Sequence, residues 1–453
     1  MTAKRVHRRD FLQASLGLSL AGATAALAQE PATAPPRPDV SWEKNEVIQN
    51  ARQAALDVLK PGRKNLEHGL ELHANSLVFD GYGFSPRCAL DGEAMAAALE
   101  AGASKVELQD MRECMSMTRC VTDPAEAEEF KQAWKAAGVT CILQNAGEEG
   151  QDPMRLIKRL AHFTYVTDMM PDFVAKAATP EDIVAAKEAK RHCLYFSGNG
   201  VPLRQHWVSV EDELRYIRIF FELGIRMMHL TYQRRNMIGD GCGEKSDAGL
   251  SDFGRAVVGE MNRVGVIVDV AHSGWKTSLD GAKVSERPMV ASHTGCVALH
   301  NHYRNKPDEV IRAIVDKGGV VGICAIGSYL GGKGDISTLL DHIDYVAKKF
   351  GVDHVSIGTD IAYTSRNARA ENKKIPRRPK YRKDFRSLWP PNPSATKSPQ
   401  PASKKPAVTP KRTLVWTNWP MFTVGLVQRG YSDDDIRKIL GGNVLRVARA
   451  VLS

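Results

Sequence analysis

The chain has 453 residues, 43% of them hydrophobic and 25% charged, with 62 Lys and Arg against 52 Asp and Glu. That balance suits a globular protein with a large buried core and excludes a wholly disordered or collagen-like chain. A net charge of +10 would indicate a nucleic-acid or membrane partner only if it covered a folded face. It does not: residues 1–28 carry a net +3, and residues 364–412 carry fifteen Lys/Arg against Glu371 and Asp384, which leaves about −6 elsewhere. No nucleic-acid partner is expected.

In chain order, Lys4, Arg5, Arg8 and Arg9 precede an apolar run over 14–27 and an Ala26-Leu27-Ala28 cleavage pattern. This is the pattern of a signal peptide over 1–28. Within it, Arg8-Arg9-Asp10-Phe11-Leu12 is similar to a twin-arginine export signal. The run is shorter than the ~20 residues a membrane span needs, and no later stretch reaches that length. The expectation is an exported protein, periplasmic or extracellular, with no membrane span once the signal is removed. Residues 29–67 read as an N-terminal segment ahead of a domain over 68–453. An oxidising compartment permits disulfides, and Cys114 with Cys120 is the candidate pair. Cys141 and Cys324 sit in apolar runs and read as buried thiols.

Beyond residue 70 short apolar runs recur at 76–84, 105–111, 140–145, 163–169, 193–196, 227–232, 264–272, 289–293, 319–326 and 354–361. Amphipathic stretches separate many of them. Phe253, Val257, Met261 and Val264 form one stripe between a Ser251 cap and Gly265, and Leu339, Ile343, Val346 and Phe350 form another. Ser432 followed by Asp433-Asp434-Asp435 opens the last helix. Apolar strands alternating with helices predict a parallel sheet covered by helices. About eight such units favour an α/β fold of the (β/α)8 TIM-barrel kind, in which chemistry gathers where the strands end.

Residues 364–412 break the alternation. They hold nine of the 23 prolines and little apolar periodicity, and read as a solvated basic insertion or a lid on the strand-end face.

The strand ends carry the chemistry. Val-Asp-Val-Ala-His272 and Val-Ala-Ser-His293 are apolar runs ending in imidazole, on successive strands, so both could face one metal ion. A hydrogen-bonded structural role is the alternative. Gly358-Thr359-Asp360 offers a carboxylate for proton transfer or ligation. Arg304, eleven residues past His293, could clamp a carboxylate bidentately or form a loop salt bridge.

These residues form a recognisable set. Gly249-Leu250-Ser251-Asp252-Phe253-Gly254, Asp269-Val270-Ala271-His272, Ser292-His293, Arg304-Asn305-Lys306-Pro307-Asp308, Gly358-Thr359-Asp360 and Gly442-Asn443-Val444-Leu445-Arg446 resemble the membrane (renal) dipeptidase family, peptidase family M19. The order matches from about residue 70 to the C-terminus, apart from the insertion. The resemblance implies an amidohydrolase-type, metallo-dependent barrel hydrolysing dipeptides at a two-zinc site. It assigns His272 and His293 to one zinc, Arg304 to the substrate carboxylate and Asp360 to the scissile region.

The departures from that pattern are specific. The family opens with Asp-Gly-His-x-Asp, whose His and Asp bind the first zinc, and here the stretch is Asp80-Gly81-Tyr82-Gly83-Phe84. The bridging glutamate falls at Gly198 or, one register on, at Asn199. The Leu-Thr-His motif is Leu230-Thr231-Tyr232. With these ligands gone, no zinc or one is expected rather than two. Tyr82, Tyr232 and Asn199 become candidate hydrogen-bonding groups for substrate, with Tyr82 and Tyr232 alternatively packing into the emptied cavity. Two function classes stay open: a divergent metal-dependent hydrolase of dipeptides or similar amides, or an inactive family member that binds a peptide-like ligand or assists another exported enzyme. A homodimer is compatible with either.

Overall fold

The computed structural model describes residues 41–147, 152–377 and 412–452, within the compact unit Val40–Ser453. The expected signal peptide and residues 378–411 of the basic insertion lie outside the described residues.

Nine strands follow one another: β1 (Phe79–Gly83), β2 (Cys141–Asn145), β3 (Val174–Lys176), β4 (His192–Gly198), β5 (Ile225–His229), β6 (Ile267–Asp269), β7 (Val290–Thr294), β8 (Val320–Ile323) and β9 (Val355–Ile357). Eight run parallel in the order β1-β2-β4-β5-β6-β7-β8-β9, and β3 pairs with β4 off this path. The nearly closed barrel is the predicted (β/α)8 architecture. Asp80 helps to clasp the gap between its first and last strands. Its carboxylate accepts from Thr359 N (2.9 Å), Thr359 Oγ1 (2.6 Å) and Trp416 Nε1 (3.1 Å), while Asp360 N donates to Tyr82 O at 2.9 Å.

The predicted stripes fold as read. Helix Asp252–Val264 starts at Ser251, whose hydroxyl accepts from Gly254 N, and stops at Gly265, whose φ of 95° few other residues adopt. Helix Ile336–Phe350 buries Leu339, Ile343, Val346 and Phe350, and Ser432 caps helix Asp433–Arg437. Two apolar runs are not strands. Residues 105–111 open helix Lys105–Thr122, whose Ser104/Glu107 capping box overrides the local apolar count. Residues 163–169 close helix Pro153–Met169, started by Asp152 and a proline at its first position. A seven-residue run cannot separate the two periods without such flanks. Cys114 and Cys120 therefore sit six residues apart on one helix, Cys114 exposed and Cys120 buried, and all eight cysteines are free thiols. Cys141 and Cys324 are buried, as expected.

Helices Glu46–Leu59 and Arg63–Asn75 precede β1, so residue 68 falls within a helix. The described start of the basic insertion is folded against the barrel wall. Tyr363 Oη and Arg366 N donate to the buried Glu129 carboxylate, Ser365 Oγ donates to Glu126, and helix Ala368–Lys374 follows.

Strand ends are irregular where the site residues lie. The register shifts between Asp80 and Gly83 in β1 and between Ala291 and Thr294 in β7, and such bulges re-aim side chains. In β7 the Ser292 carbonyl lies so close to β8 and β9 that a Cβ at Gly322 or Gly358 would overlap it. Gly322→Ala is therefore expected to lose on the order of 1–3 kcal/mol in urea unfolding. Gly259→Ala, in open space on the helix Asp252–Val264, is expected to gain roughly 0.5–1 kcal/mol.

Candidate functional site

Neighbouring parallel strands deliver their last residues to one end of the barrel. β5 ends at His229, β6 leads three residues on to His272, and β7 carries His293. All three imidazoles are buried, and one nitrogen from each lies within 4.8 Å of the others. His272 Nε2 and His293 Nε2 face each other at 2.9 Å. His229 was not foreseen. The apolar run was read out to Tyr232, whereas the strand stops at His229. The signal was nevertheless present, since the run 227–232 also contains an imidazole.

The buried Asp269 carboxylate organises this group. It accepts from Ala271 N (2.9 Å), from Ser292 N (3.0 Å) and from Ser292 Oγ, and it faces His229 Nε2 at 3.2 Å. Ser292 Oγ in turn meets His293 Nδ1 at 2.8 Å, while His229 Nδ1 donates to Gly198 O at 3.0 Å. Burial, with the Arg304 charge beside them, pushes His272 and His293 well below the ordinary imidazole range. Both are neutral near pH 7 and offer lone pairs.

The other sequence candidates gather around these rings. Tyr82 stacks on His293 (centroids 3.9 Å apart) and donates to Asn199 Oδ1 at 2.6 Å. Tyr232 stacks on His272 with centroids 4.1 Å apart. Arg304 is fully buried, and its guanidinium donates to Ala271 O and to His293 O (3.2 Å) and approaches His272 Nε2 at 3.4 Å. A carboxylate clamp would draw on its Nε, which has no partner among the described residues, or on the field of its charge. Asp360 adopts φ 55°, a left-handed conformation that Asp tolerates.

Burial raises the Asp360 pKa from 3.8 to about 7, against the pull of Arg304 and Arg87. An acid poised there can both give and take a proton near neutrality. The unfolded chain releases this proton near 3.8, so between about 4 and about 7 the folded state binds more protons and its stability falls as pH rises. The urea midpoint of Asp360→Asn, relative to wild type, is expected to climb across that window and level off above it. A difference that does not vary with pH would contradict the shifted pKa.

Three neutral imidazoles are a donor set for one borderline-soft divalent ion, with no carboxylate among them to bridge a second. The Asp80 carboxylate is committed to Thr359, Trp416 and the Tyr82 amide.

Membrane dipeptidase (peptidase family M19) is the family that matches, over residues 89–371, starting just after β1 and its Tyr82. Dipeptidase tcpJ of Claviceps purpurea is 30% identical over 240 residues, which cover 52% of this chain and 47% of that protein. The chain spans about half the length of the curated relatives it matches. Among solved structures, an amidohydrolase from Pseudomonas aeruginosa is similar at 25% identity and TM-score 0.60, covering 85% of this chain and 99% of that one. A probable dipeptidase, PvdM, from the same organism shares the fold at 20% identity and TM-score 0.59, covering 86% and 99%.

Proposed function

The chain belongs to the membrane dipeptidase family, peptidase family M19, and from that premise we propose that it is an exported, divergent metal-dependent hydrolase that cleaves a dipeptide or similar small amide with at most one zinc ion. Membership of the family supports metal-dependent hydrolysis and a small peptide substrate. The observation that carries the rest is the pair of neutral, buried imidazoles, His272 and His293, facing each other at 2.9 Å at the mouth of the barrel. Export rests on the twin-arginine-like sequence at 8–12. Among the described residues no helix is long and apolar enough to cross a membrane.

His272 and His293 would hold the ion, which would supply Lewis-acid polarisation of a carbonyl and a more acidic water. The protein's own groups do the remainder. Asp360, titrating at about 7, takes a proton from the attacking water and returns it to the leaving amine. Arg304 sets a positive field that draws the substrate carboxylate inward. Tyr232, stacked on His272, brings a phenol able to donate to a developing oxyanion, while Tyr82 spends its hydrogen on Asn199 and walls the site against His293. Tyr82 stays a phenol because burial, and next the Asp360 charge, push its pKa well above the usual value. Asn199 holds the Tyr82 hydroxyl at 2.6 Å and so fixes where it points.

The test is a panel of L,L- and L,D-dipeptides assayed with Zn²⁺ and after chelation. Hydrolysis is expected to stop on chelation, return with Zn²⁺, and fall about 10²–10⁴-fold in Asp360→Asn. Zinc-loaded protein that binds dipeptides without cleaving them would overturn the enzyme reading in favour of an inactive, ligand-binding family member.

A further inference from the structure

We propose that His229 is the third protein ligand of a mononuclear, three-imidazole divalent-metal centre completed by His272 and His293, with the Asp269 carboxylate as its buried counter-charge. The inference deepens the proposed site and rests on reading His272 and His293 as ligands. It moves the centre toward β5 and away from the β1 end, where the family's first-zinc ligands are missing.

A carbonyl can only accept, so His229 Nδ1, 3.0 Å from Gly198 O, carries hydrogen and its Nε2 is a lone pair. Ser292 Oγ spends its hydrogen on Asp269 and therefore accepts from His293 Nδ1 at 2.8 Å, which leaves His293 Nε2 a lone pair as well. His272 Nε2 faces that lone pair at 2.9 Å, with Arg304 Nη2 farther off at 3.4 Å, and its Nδ1 has no hydrogen-bond partner among the described residues, so no protein group needs the Nε2 to keep a hydrogen when an ion is bound. The structure thus fixes lone pairs on His293 Nε2 and His229 Nε2, brings His272 Nε2 within 2.9 Å of the first, and aims the second at a carboxylate oxygen 3.2 Å away. His229 Nε2 has no hydrogen-bond partner among the described residues although it is fully buried. A buried lone pair facing a carboxylate is repulsive, and a cation held among the three nitrogens relieves it.

Spacing and charge agree. A tetrahedral ion with bonds of about 2.1 Å sets its nitrogens about 3.4 Å apart, and the observed separations, from 2.9 Å up to 4.8 Å, bracket that value. Three neutral nitrogens suit Zn²⁺, Co²⁺ or Cu²⁺ and not Mg²⁺ or Ca²⁺, which demand oxygen ligands. The nitrogens turned away from the ion are held as metal-bound histidines commonly are, His229 Nδ1 by Gly198 O and His293 Nδ1 by Ser292 Oγ, with the Asp269 carboxylate behind Ser292. No other group of three such ligands occurs among the described residues.

The test uses the full chain after signal removal, stripped of metal and titrated with Co²⁺. One ion per chain is expected, with the strong visible absorption of a four-coordinate site and three imidazoles by X-ray absorption. His229→Gln, whose amide can still donate to Gly198 O, is expected to weaken Co²⁺ binding by about 100-fold or more, while His68→Gln, on an exposed helix face, leaves it unchanged. Unaltered affinity in His229→Gln, two ions per chain, or no binding would each overturn the proposal. If His229→Gln does not fold, by circular dichroism, the wild-type imidazole count decides: two rather than three overturns it. Dipeptide hydrolysis is not among these readouts, so an inert protein with a three-imidazole ion would uphold this centre and sink the enzyme reading, and an active one with two imidazoles would do the reverse.

Discussion

The Asp269 carboxylate at the end of β6 has no exposed surface, accepts hydrogen bonds from the Ala271 and Ser292 amides and the Ser292 hydroxyl, and faces His229. An uncompensated buried carboxylate costs several kcal/mol, so these donors are required for the fold and not incidental to it. The geometry that satisfies Asp269 joins β5, β6 and β7 and fixes which nitrogen of His293 carries a proton. One buried charge thereby sets both the packing of three strands and the chemical form of the site.

The barrel supplies the rest by placing irregular backbone where strands end. Bulges in β1 and β7 aim Tyr82 and His293 at one another, and glycines at 322 and 358 make room for the Ser292 carbonyl that the β7 bulge displaces. Asp80 joins the first and last strands through Thr359 and holds Trp416.

Much of this was legible in the chain. Stripes such as Phe253–Val264 carry their own caps, so helix and period agree, and eight apolar runs fell on barrel strands because each is buried on both faces. Residues 105–111 and 163–169 were misread because a short apolar run looks alike in either period, and the deciding cap or proline lies outside it. His272, His293 and Asp360 were found because strand ends face the mouth. His229 was missed by placing one strand end three residues late. The roles of Asp80 and Asp269 could not be read at all, since they depend on partners brought from other strands: Thr359 lies 279 residues from Asp80, and Ser292 lies 23 from Asp269.

The central claim is that three strand-end imidazoles, His229, His272 and His293, hold one metal ion. Anomalous diffraction from crystals of the zinc-loaded chain, collected on both sides of the zinc absorption edge, tests it most directly. The account expects a single peak bonded to the Nε2 atoms of His229, His272 and His293. Two peaks, or one peak that leaves His229 on Asp269 without a bond to the ion, would contradict it.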